Sequence, residues 1–269
     1  MRQNLHTHTT FCDGENTPEE LVQAALSLGM DSLGFSGHSP LPSDDSWTMT
    51  AEGVQRYRAE VERLQKAYGG QLQIFLGLEQ DCDSPSPSAP YDYLIGSVHR
   101  LTKDDVSFYV DESAASFSRA VETLYSGDYL AAAEAYYDKM ARLPRWNSRQ
   151  IVGHLDLITK YNEGDRLFST DSPRYRAAAV EAVRQLARRD MVFEVNTGAM
   201  ARGYRTAPYP APALLREIRQ AGGAIVITSD CHSAAQLLYA FDEAAALCRS
   251  CGFRETLVLT EAGFVPQPL

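Results

Sequence analysis

The histidines near the start of this chain are spaced in a way that suggests metal binding. His6 and His8 are separated by one residue, so on an extended strand both imidazoles project from the same face and can bind one ion. Imidazole nitrogens combined with carboxylate oxygens are ligands typical of zinc, manganese or iron. The pattern therefore indicates a transition-metal site that includes this pair.

Nine metal-competent side chains share a second property, because each lies at or shortly beyond the end of a short apolar run. They are His6, His8, Asp13, His38, Glu79, His99, His154, Asp230 and His232. A lone histidine in such a position is more often a packing or surface residue, but nine residues placed by one rule favour a metal centre. Nine ligands are too many for one ion, so we expect two or three divalent ions (Zn, Mn or Fe) with a bridging carboxylate.

The apolar runs are typical of strands that are buried on both faces. They cover residues 32–35, 72–78, 93–98, 151–158, 191–195 and 224–228. Helical periodicity, with capping residues or an early proline at several starts, predicts helices between them. The predicted helices are 18–28, 51–68, 113–142 (as two helices), 172–189, 210–220 and 234–250.

Alternating strands and helices predict a parallel sheet, and about seven such units in 269 residues favour a single-domain α/β fold that closes as a TIM-like barrel. In these barrels the carboxyl ends of the strands form one face, where the active site lies. The nine side chains should therefore meet at that face. The longest interruption is a Tyr- and Ala-rich helical insertion at about 101–149, which is either a lid or a pair of packing helices.

Composition and charge argue against several other classes of protein. The formal net charge is −10, and no block of basic residues is available to follow a nucleic-acid backbone. No signal-peptide core or run of roughly 18 apolar residues occurs, which predicts a cytoplasmic protein that does not bind membranes. The five scattered cysteines argue against a disulfide framework, and we interpret Cys248 and Cys251 as helix-packing residues and not as a redox pair.

Six motifs resemble, in order, those of the polymerase and histidinol phosphatase (PHP) family. They are HTHTTFCDG at 6–14, GHS at 37–39, GLEQD at 77–81, GSVH at 96–99, GHLD at 153–156 and SDCH at 229–232. The resemblance spans nearly the whole chain and is greatest to the histidinol-phosphate phosphatase branch, which also carries a helical insertion after GSVH and a segment like EVNTG at 194–198. The resemblance implies a distorted (β/α)7 barrel that holds three metal ions.

The resemblance also divides the nine residues among the ions. It assigns His6, His8, Glu79 and Asp230 to the first ion, Glu79 with His99 and His154 to the second, and Asp13, His38 and His232 to the third. Glu79, His99, Asp230 and His232 would act in catalysis by holding a hydroxide that bridges the metals. Asp81 and Asp156 are candidates for orienting a ligand imidazole.

This constellation suits hydrolysis of a phosphate monoester, because clustered ions neutralise phosphate oxygens and lower the pKa of water from about 15.7 towards 7. The resemblance implies hydrolysis of L-histidinol phosphate to L-histidinol and phosphate in histidine biosynthesis, by attack of the metal-bridging hydroxide. Lys160 and Arg202 follow strands on the metal face and are candidates for binding phosphate. Family members often read EVNTSG followed by an arginine, whereas this chain reads EVNTGAMARGY, so Arg205 is an alternative to Arg202.

Recognition of the histidinol amine and ring requires acidic or polar partners, for which Asp44, Asp45, Trp47 and Glu112 are candidates. Two other functions stay open. One is a different hydrolase on the same scaffold, such as a phosphodiesterase, a nuclease or a protein-tyrosine phosphatase. The other is a metal-binding module without catalytic activity. The oligomeric state and the group that protonates the leaving alkoxide do not follow from the sequence.

Overall fold

The computed structural model describes residues 1–41 and 46–269. Seven parallel strands form its central sheet, in the order β1-β2-β3-β4-β7-β8-β9. These strands are β1 (Gln3–Asn4), β2 (Ser32–Phe35), β3 (Gln73–Asp81), β4 (Tyr93–Ser97), β7 (Arg149–Val152), β8 (Val192–Asn196) and β9 (Ile225–Thr228). All neighbouring pairs in this order are parallel.

The sheet curls until its two edges meet. A parallel bridge joins Thr7 to Cys231, in which the His8 N–H donates to the Cys231 carbonyl (2.9 Å) and the Cys231 N–H donates to the His6 carbonyl (3.1 Å). These bonds connect the segment after β1 to the segment after β9. The predicted seven-stranded α/β barrel is therefore confirmed, as a nearly closed barrel in a single domain.

Helices cover the outside of the barrel. The helices are α1 (Pro18–Ser27), α2 (Ala51–Tyr68), α3 (Ala114–Leu124), α4 (Tyr129–Ala141), α5 (Pro173–Ala187), α6 (Gly198–Ala201), α7 (Pro212–Gln220) and α8 (Phe241–Ser250). Of these, α1 to α4 begin at residues whose side chains cap them. Thr17 and Glu20 form a reciprocal capping box at α1, and the Thr50 hydroxyl accepts the Gly53 N–H at α2. None of the helices in the described ranges is long and apolar enough to cross a membrane.

Two predicted elements are shorter in the structure than in the prediction. The run 151–158 leaves the sheet after Val152, and Leu157–Thr159 forms a 3-10 turn. The predicted helix 234–250 is divided into a 3-10 turn and α8, because Ala240 adopts a left-handed conformation (φ 53°) between them.

The insertion between β4 and β7 is only partly helical. It begins as a hairpin of β5 (Arg100–Lys103) and β6 (Val106–Tyr109), whose turn residues Asp104 and Asp105 both have positive φ, as a tight hairpin turn requires. The two predicted helices follow as α3 and α4, with a break at 126–127 where φ is again positive. The prediction of a helical insertion is therefore wrong for its first part.

A second antiparallel hairpin follows the barrel and has no counterpart among the predicted elements. It consists of β10 (Glu255–Thr260) and β11 (Gly263–Pro268). The Gln3 side chain bonds both the N–H and the carbonyl of Leu259 in β10. This hairpin therefore closes the barrel at the end opposite to the carboxyl ends of the strands.

The barrel interior contains an apolar layer below the carboxyl ends of the strands. Its members are Leu5, Phe75, Tyr93, Ile95, Ile151, Val192, Val226 and Leu259, all of them buried. The hydroxyl of Tyr93 donates to the carbonyls of Leu5 (2.5 Å) and Phe35 (3.1 Å), which links β4 to β2 and to the chain beside β1. A Cβ added at Gly77 would lie 2.2 Å from the Tyr93 ring, so glycine is required there.

Candidate metal centre

Glu79 lies at the centre of the cluster of predicted ligands. Strand alternation turns Gly77 and Glu79 to the same face of β3, so the carboxylate lies directly above the apolar layer. Its Oε2 atom lies 2.9 Å from His38 Nδ1, 3.2 Å from His6 Nε2 and 3.5 Å from His8 Nε2. Glu79 is 1% exposed, so these imidazoles surround the carboxylate in place of water.

The other oxygen of Glu79 faces a second pair of histidines. Oε1 lies 3.0 Å from His154 Nε2 and 3.4 Å from His99 Nε2, and it accepts a hydrogen bond from the Ser97 hydroxyl (2.7 Å). One carboxylate thus contacts five imidazoles, three through one oxygen and two through the other. A carboxylate that bridges two ions needs such an arrangement, with ligands gathered around each oxygen.

Two further carboxylates complete the cluster. Asp230 Oδ1 lies 3.2 Å from His8 Nε2. Asp13 lies 3.2 Å from His232 Nε2 and 3.5 Å from both His8 Nδ1 and His38 Nε2. The structure therefore brings all nine predicted residues together at the carboxyl ends of the strands.

Three groups of these side chains have ligand atoms close enough for one ion. The groups are His8, Asp13, His38 and His232; His6, His8 and Glu79; and His38, Glu79 and His99. His8 and His38 each belong to two groups. The groups therefore overlap in space, in the way expected of a compact multinuclear centre.

The cluster contains buried polar atoms that a cation would satisfy. His6 Nε2, His8 Nε2 and Glu79 Oε2 are inaccessible and, although Oε2 lies close to the imidazoles, none of the three atoms makes a well-aligned hydrogen bond. Leaving such an atom unpaired costs about 1–3 kcal/mol, and here three of them lie close together. Since two are imidazole nitrogens and one is a carboxylate oxygen, the donor set fits a divalent transition metal.

Protons balance the charge of the carboxylates when no ion is bound. Burial alone would lower the pKa of His99, but the Glu79 and Asp81 carboxylates outweigh it and raise that pKa to about 10. Burial and two neighbouring imidazoles instead lower the pKa of His8 to about 3. Because a metal ligand must be a neutral imidazole, ion binding would displace the proton of His99.

Residues behind the ligands hold the imidazoles in a defined orientation. His99 Nδ1 lies 3.0 Å from Asp81 Oδ2, which agrees with the role predicted for Asp81. The prediction for Asp156 is wrong. Its Oδ2 accepts the Ala211 N–H (2.9 Å), and among the described residues no histidine donates a hydrogen bond to it. The chain turns after Gly153, and this turn directs Asp156 away from the ligands.

Glu194, which is absent from the predicted site, is fully buried in β8. Its Oε1 lies 2.5 Å from His6 Nδ1 and accepts the Thr228 hydroxyl, and its Oε2 accepts the His154 N–H (2.6 Å) and the Asn196 side-chain amide (3.0 Å). An acceptor at Nδ1 leaves the Nε2 lone pair of His6 free for an ion. The available signal was an acidic residue within the apolar run MVFEV.

A cavity of about 340 Å³ opens above the cluster. Beside the cluster itself, its lining includes basic, acidic and aromatic side chains. These are Lys160, Arg202, Asp111, Glu112, Trp47, Tyr109, Tyr204 and Tyr209. The segment 109–112, at the end of the β5–β6 hairpin, supplies three of them, so the insertion forms one side of the cavity. Asp44 and Asp45 lie outside the described residues.

The candidate phosphate-binding side chains differ in their positions. Arg202 donates to both the carboxylate (3.0 Å) and the carbonyl (2.8 Å) of Asp230, beside the metal cluster. The Lys160 ammonium donates to the Asp111 carbonyl (2.8 Å), and both residues line the cavity. Arg205 is not among the lining residues, and its guanidinium lies 4.7 Å from the centre of the buried Tyr209 ring.

Comparison with known proteins gives a consistent set of relatives. A model of the PHP domain family matches residues 4–198. The chain is 31% identical over 263 residues to "Probable histidinol-phosphatase" of Deinococcus radiodurans (93% of each chain) and 29% identical over 268 residues to "Histidinol-phosphatase" of Bacillus subtilis (90% of this chain and 97% of the relative). The residues matched by the family model include the insertion and the ligand motifs from HTHTTFCDG to GHLD.

Two solved structures share the fold. One, from Listeria monocytogenes, has a TM-score of 0.77 at 20% identity and covers 90% of this chain and 99% of its own. The other is a histidinol phosphate phosphatase from Lactococcus lactis, complexed with Zn, L-histidinol and phosphate, with a TM-score of 0.70 at 22% identity and 98% of each chain covered. At these identities the likeness establishes the fold.

We predict that Glu194→Gln weakens metal binding about 10- to 100-fold. Two N–H donors face Oε2, so the new NH2 group must donate a hydrogen bond to His6 Nδ1. The neutral imidazole then carries its proton on Nε2, the atom that would bind the ion. Competition with a chromogenic chelator measures the affinity. Glu181→Gln, at an exposed position in α5, is the control and should bind metal like the unmodified protein. Equal affinities in the two variants would contradict the role of Glu194.

Proposed function

The chain belongs to the PHP domain family, and from this premise we propose that it is a metal-dependent phosphomonoesterase that hydrolyses L-histidinol phosphate to L-histidinol and phosphate. The observation that carries the proposal is the composition of the site. A cluster of five imidazoles around one buried carboxylate lies at the base of a cavity that has both basic and acidic walls. A phosphate ester of an amino alcohol needs both kinds of wall.

We assign the nine clustered residues to two or three divalent ions of zinc, manganese or iron. His6, His8, Glu79 and Asp230 would hold the first, Glu79 with His99 and His154 the second, and Asp13, His38 and His232 the third. His8 and His38 are placed to contribute to two positions each. When bound, such ions neutralise phosphate oxygens and lower the pKa of water to about 7.

The side chains of the protein then position the phosphate. Arg202 is fixed by two hydrogen bonds to Asp230, so its guanidinium is held at the edge of the cluster before substrate arrives. Lys160 is fixed on Asp111 in the same cavity. Since both cations are already oriented, they bind phosphate with little loss of side-chain freedom.

The remaining wall suits the amine and the imidazole of the substrate. Asp111 and Glu112 supply negative charge, and Trp47 and Tyr109 supply aromatic faces that pack edge to face at 5.7 Å. A cavity of about 340 Å³ is at the small end of the range for ligand pockets. The pocket therefore favours a small cationic ester over a polynucleotide or a phosphoprotein.

The metal content tests the assignment of the ligands. We expect two to three ions per chain in elemental analysis after metal supplementation. Glu79→Gln should retain fewer ions than His232→Ala, because Glu79 contacts five imidazoles whereas His232 contacts the carboxylate of Asp13 at one edge. Glu62→Gln, at an exposed position in α2, should retain the full content. A single ion in the unmodified protein would refute the multinuclear site, and full occupancy of Glu79→Gln would refute bridging.

The roles of Lys160 and Arg202 are tested with inorganic phosphate. Lys160→Gln and Arg202→Gln should each raise the inhibition constant of phosphate by a factor on the order of ten or more, because each removes a charged hydrogen bond. Lys66→Gln, at the exposed end of α2, is the control. If turnover falls while inhibition by phosphate is unchanged, the residue contacts another part of the substrate.

A panel of three esters tests the proposed substrate. We expect kcat/KM to be higher for L-histidinol phosphate than for p-nitrophenyl phosphate, although the latter has the better leaving group, because binding of the amine and ring orients the ester. A phosphodiester is the third member of the panel. Preference for p-nitrophenyl phosphate or for the diester would reject histidinol phosphate as the substrate and leave the metallohydrolase assignment in place.

A further inference from the structure

His99 lies at the point where the barrel passes into the insertion. β4 ends shortly before it, and β5 begins with the next residue. Its N–H and its Nδ1 lie 3.3 and 3.0 Å from Asp81 Oδ2, and its carbonyl accepts the Val110 N–H (2.9 Å). Its remaining polar atom, Nε2, lies 3.4 Å from Glu79 Oε1 within the cluster. The bonds of the other three polar atoms therefore determine where Nε2 points.

The carboxylate of Asp81 is itself oriented by the loop that follows β3. Asp81 is buried, and its Oδ1 accepts the backbone N–H of Asp83 (2.7 Å), which leaves Oδ2 for His99. The Asp83 side chain in turn accepts the Lys139 ammonium (2.8 Å) and the Arg100 guanidinium (3.1 Å) at its Oδ2. Both cations belong to the insertion, so the insertion holds the loop that orients Asp81.

Lys139 makes a second bond in the same place. Its ammonium donates to the Arg100 carbonyl (2.7 Å), in the residue directly after His99. The side chains of Lys139 and Asp83 are only 24% and 23% exposed, and a charged hydrogen bond in such surroundings is stronger than one between fully exposed ions. We call Lys139, Asp83 and Arg100 the clamp. The clamp reaches His99 by two routes, through Asp81 and through the backbone at Arg100.

Helix α4 gives Lys139 a rigid base. Tyr136, Tyr137 and Met140 of this helix are buried, and the Tyr137 hydroxyl shares a hydrogen bond of 2.7 Å with the hydroxyl of Tyr175 in α5. This packing already fixes the helix, so the bonds of Lys139 are not needed to hold α4 in place. They instead hold the loop and the start of β5 at a defined distance from the helix.

We propose that the clamp positions His99 for metal binding, a role that rests on the assignment of His99 to a metal ion in the proposed function. An imidazole keeps its affinity for a metal only when the groups behind it hold the ring in the binding orientation. Lys139 and Asp83 act through Asp81 and the backbone, without touching an ion or the substrate. They are positioning residues, and the insertion supports the metal centre as well as forming one side of the cavity.

The test is Lys139→Met, which removes the ammonium and keeps a long side chain. Zinc affinity is measured by competition with a chromogenic chelator, and kcat is measured at rising concentrations of free zinc. We expect at least one zinc ion to bind about 10-fold more weakly, because the groups behind a metal ligand contribute to affinity on this scale. Excess zinc should restore kcat. Asp83→Asn, which leaves α4 unchanged, is the second variant and should act in the same direction.

Arg174→Met is the matched control. Arg174 in α5 forms ion pairs with Asp128 and Glu134, at the N-cap and in the second turn of α4. The variant therefore removes a charged contact of the same helix that does not lead to His99. Its zinc affinity should equal that of the unmodified protein.

Two further measurements show whether the effect passes through His99. In a His99→Ala background, Lys139→Met should cause no additional loss of zinc affinity, because the clamp then has no ligand to position. Solvent exchange of the His99 Nδ1 proton, followed by NMR, should be faster in Lys139→Met than in the unmodified protein. This exchange needs neither zinc nor substrate.

Three results would overturn the proposal. Unchanged zinc affinity in both Lys139→Met and Asp83→Asn would show that the clamp does not support the ligand. An equal loss in Arg174→Met would show that zinc affinity responds to any loosening of α4. An additive loss in the His99→Ala background would place the effect on another ligand. If the unmodified protein neither binds zinc nor cleaves histidinol phosphate, the proposed function fails, and the exchange of the Nδ1 proton still decides whether the clamp holds His99.

Discussion

A negative charge buried inside the barrel is the constraint on which the site depends. Glu79 cannot remain ionised at 1% exposure unless positive groups surround it, and the chain places imidazoles from the ends of four other strands around it. In the absence of metal, bound protons supply the positive charge, since the carboxylates raise the pKa of His99 to about 10 against the effect of burial. The same imidazoles could therefore balance the carboxylate either with bound protons or by holding metal ions.

The apolar layer beneath this charge explains why the ligands occupy defined positions. Strands that alternate inward and outward place Gly77 below Glu79 and Val192 below Glu194, so each acidic residue follows an apolar or small one on the same face. Tyr93 fills the space that Gly77 leaves and bonds the backbone of two other strands. The polar layer is thus supported by a close-packed one, and an ion site needs such rigid support to retain its geometry.

Much of the fold and the ligand set could be predicted because both depend on local patterns. Strand-length apolar runs followed by His or an acidic residue determine which side chains reach the carboxyl ends of a parallel barrel. Glu194 did not follow from this rule, because it lies inside its run and acts through His6 and His154, which are distant in sequence. The prediction for Asp156 was wrong because this residue lies beyond the end of its strand. Once the chain turns there, position in the sequence no longer determines the direction of the side chain. The two hairpins were not predicted. They are short, and the tight turn at Asp104 and Asp105 lacks the glycine that usually marks such a turn.

The bridge between Thr7 and Cys231 has a consequence for the order of events during synthesis. It joins segments separated by more than 200 residues, and the same closure brings His6 and His8 to Asp230. A growing polypeptide on the ribosome exposes the two histidines long before the last strand emerges. Until the last strand has emerged, the growing polypeptide lacks the ligands Asp230 and His232. The complete centre can therefore bind its ions only after translation has passed β9. Metal loading in this protein is therefore a late step, and it secures a barrel whose first and last strands have just met.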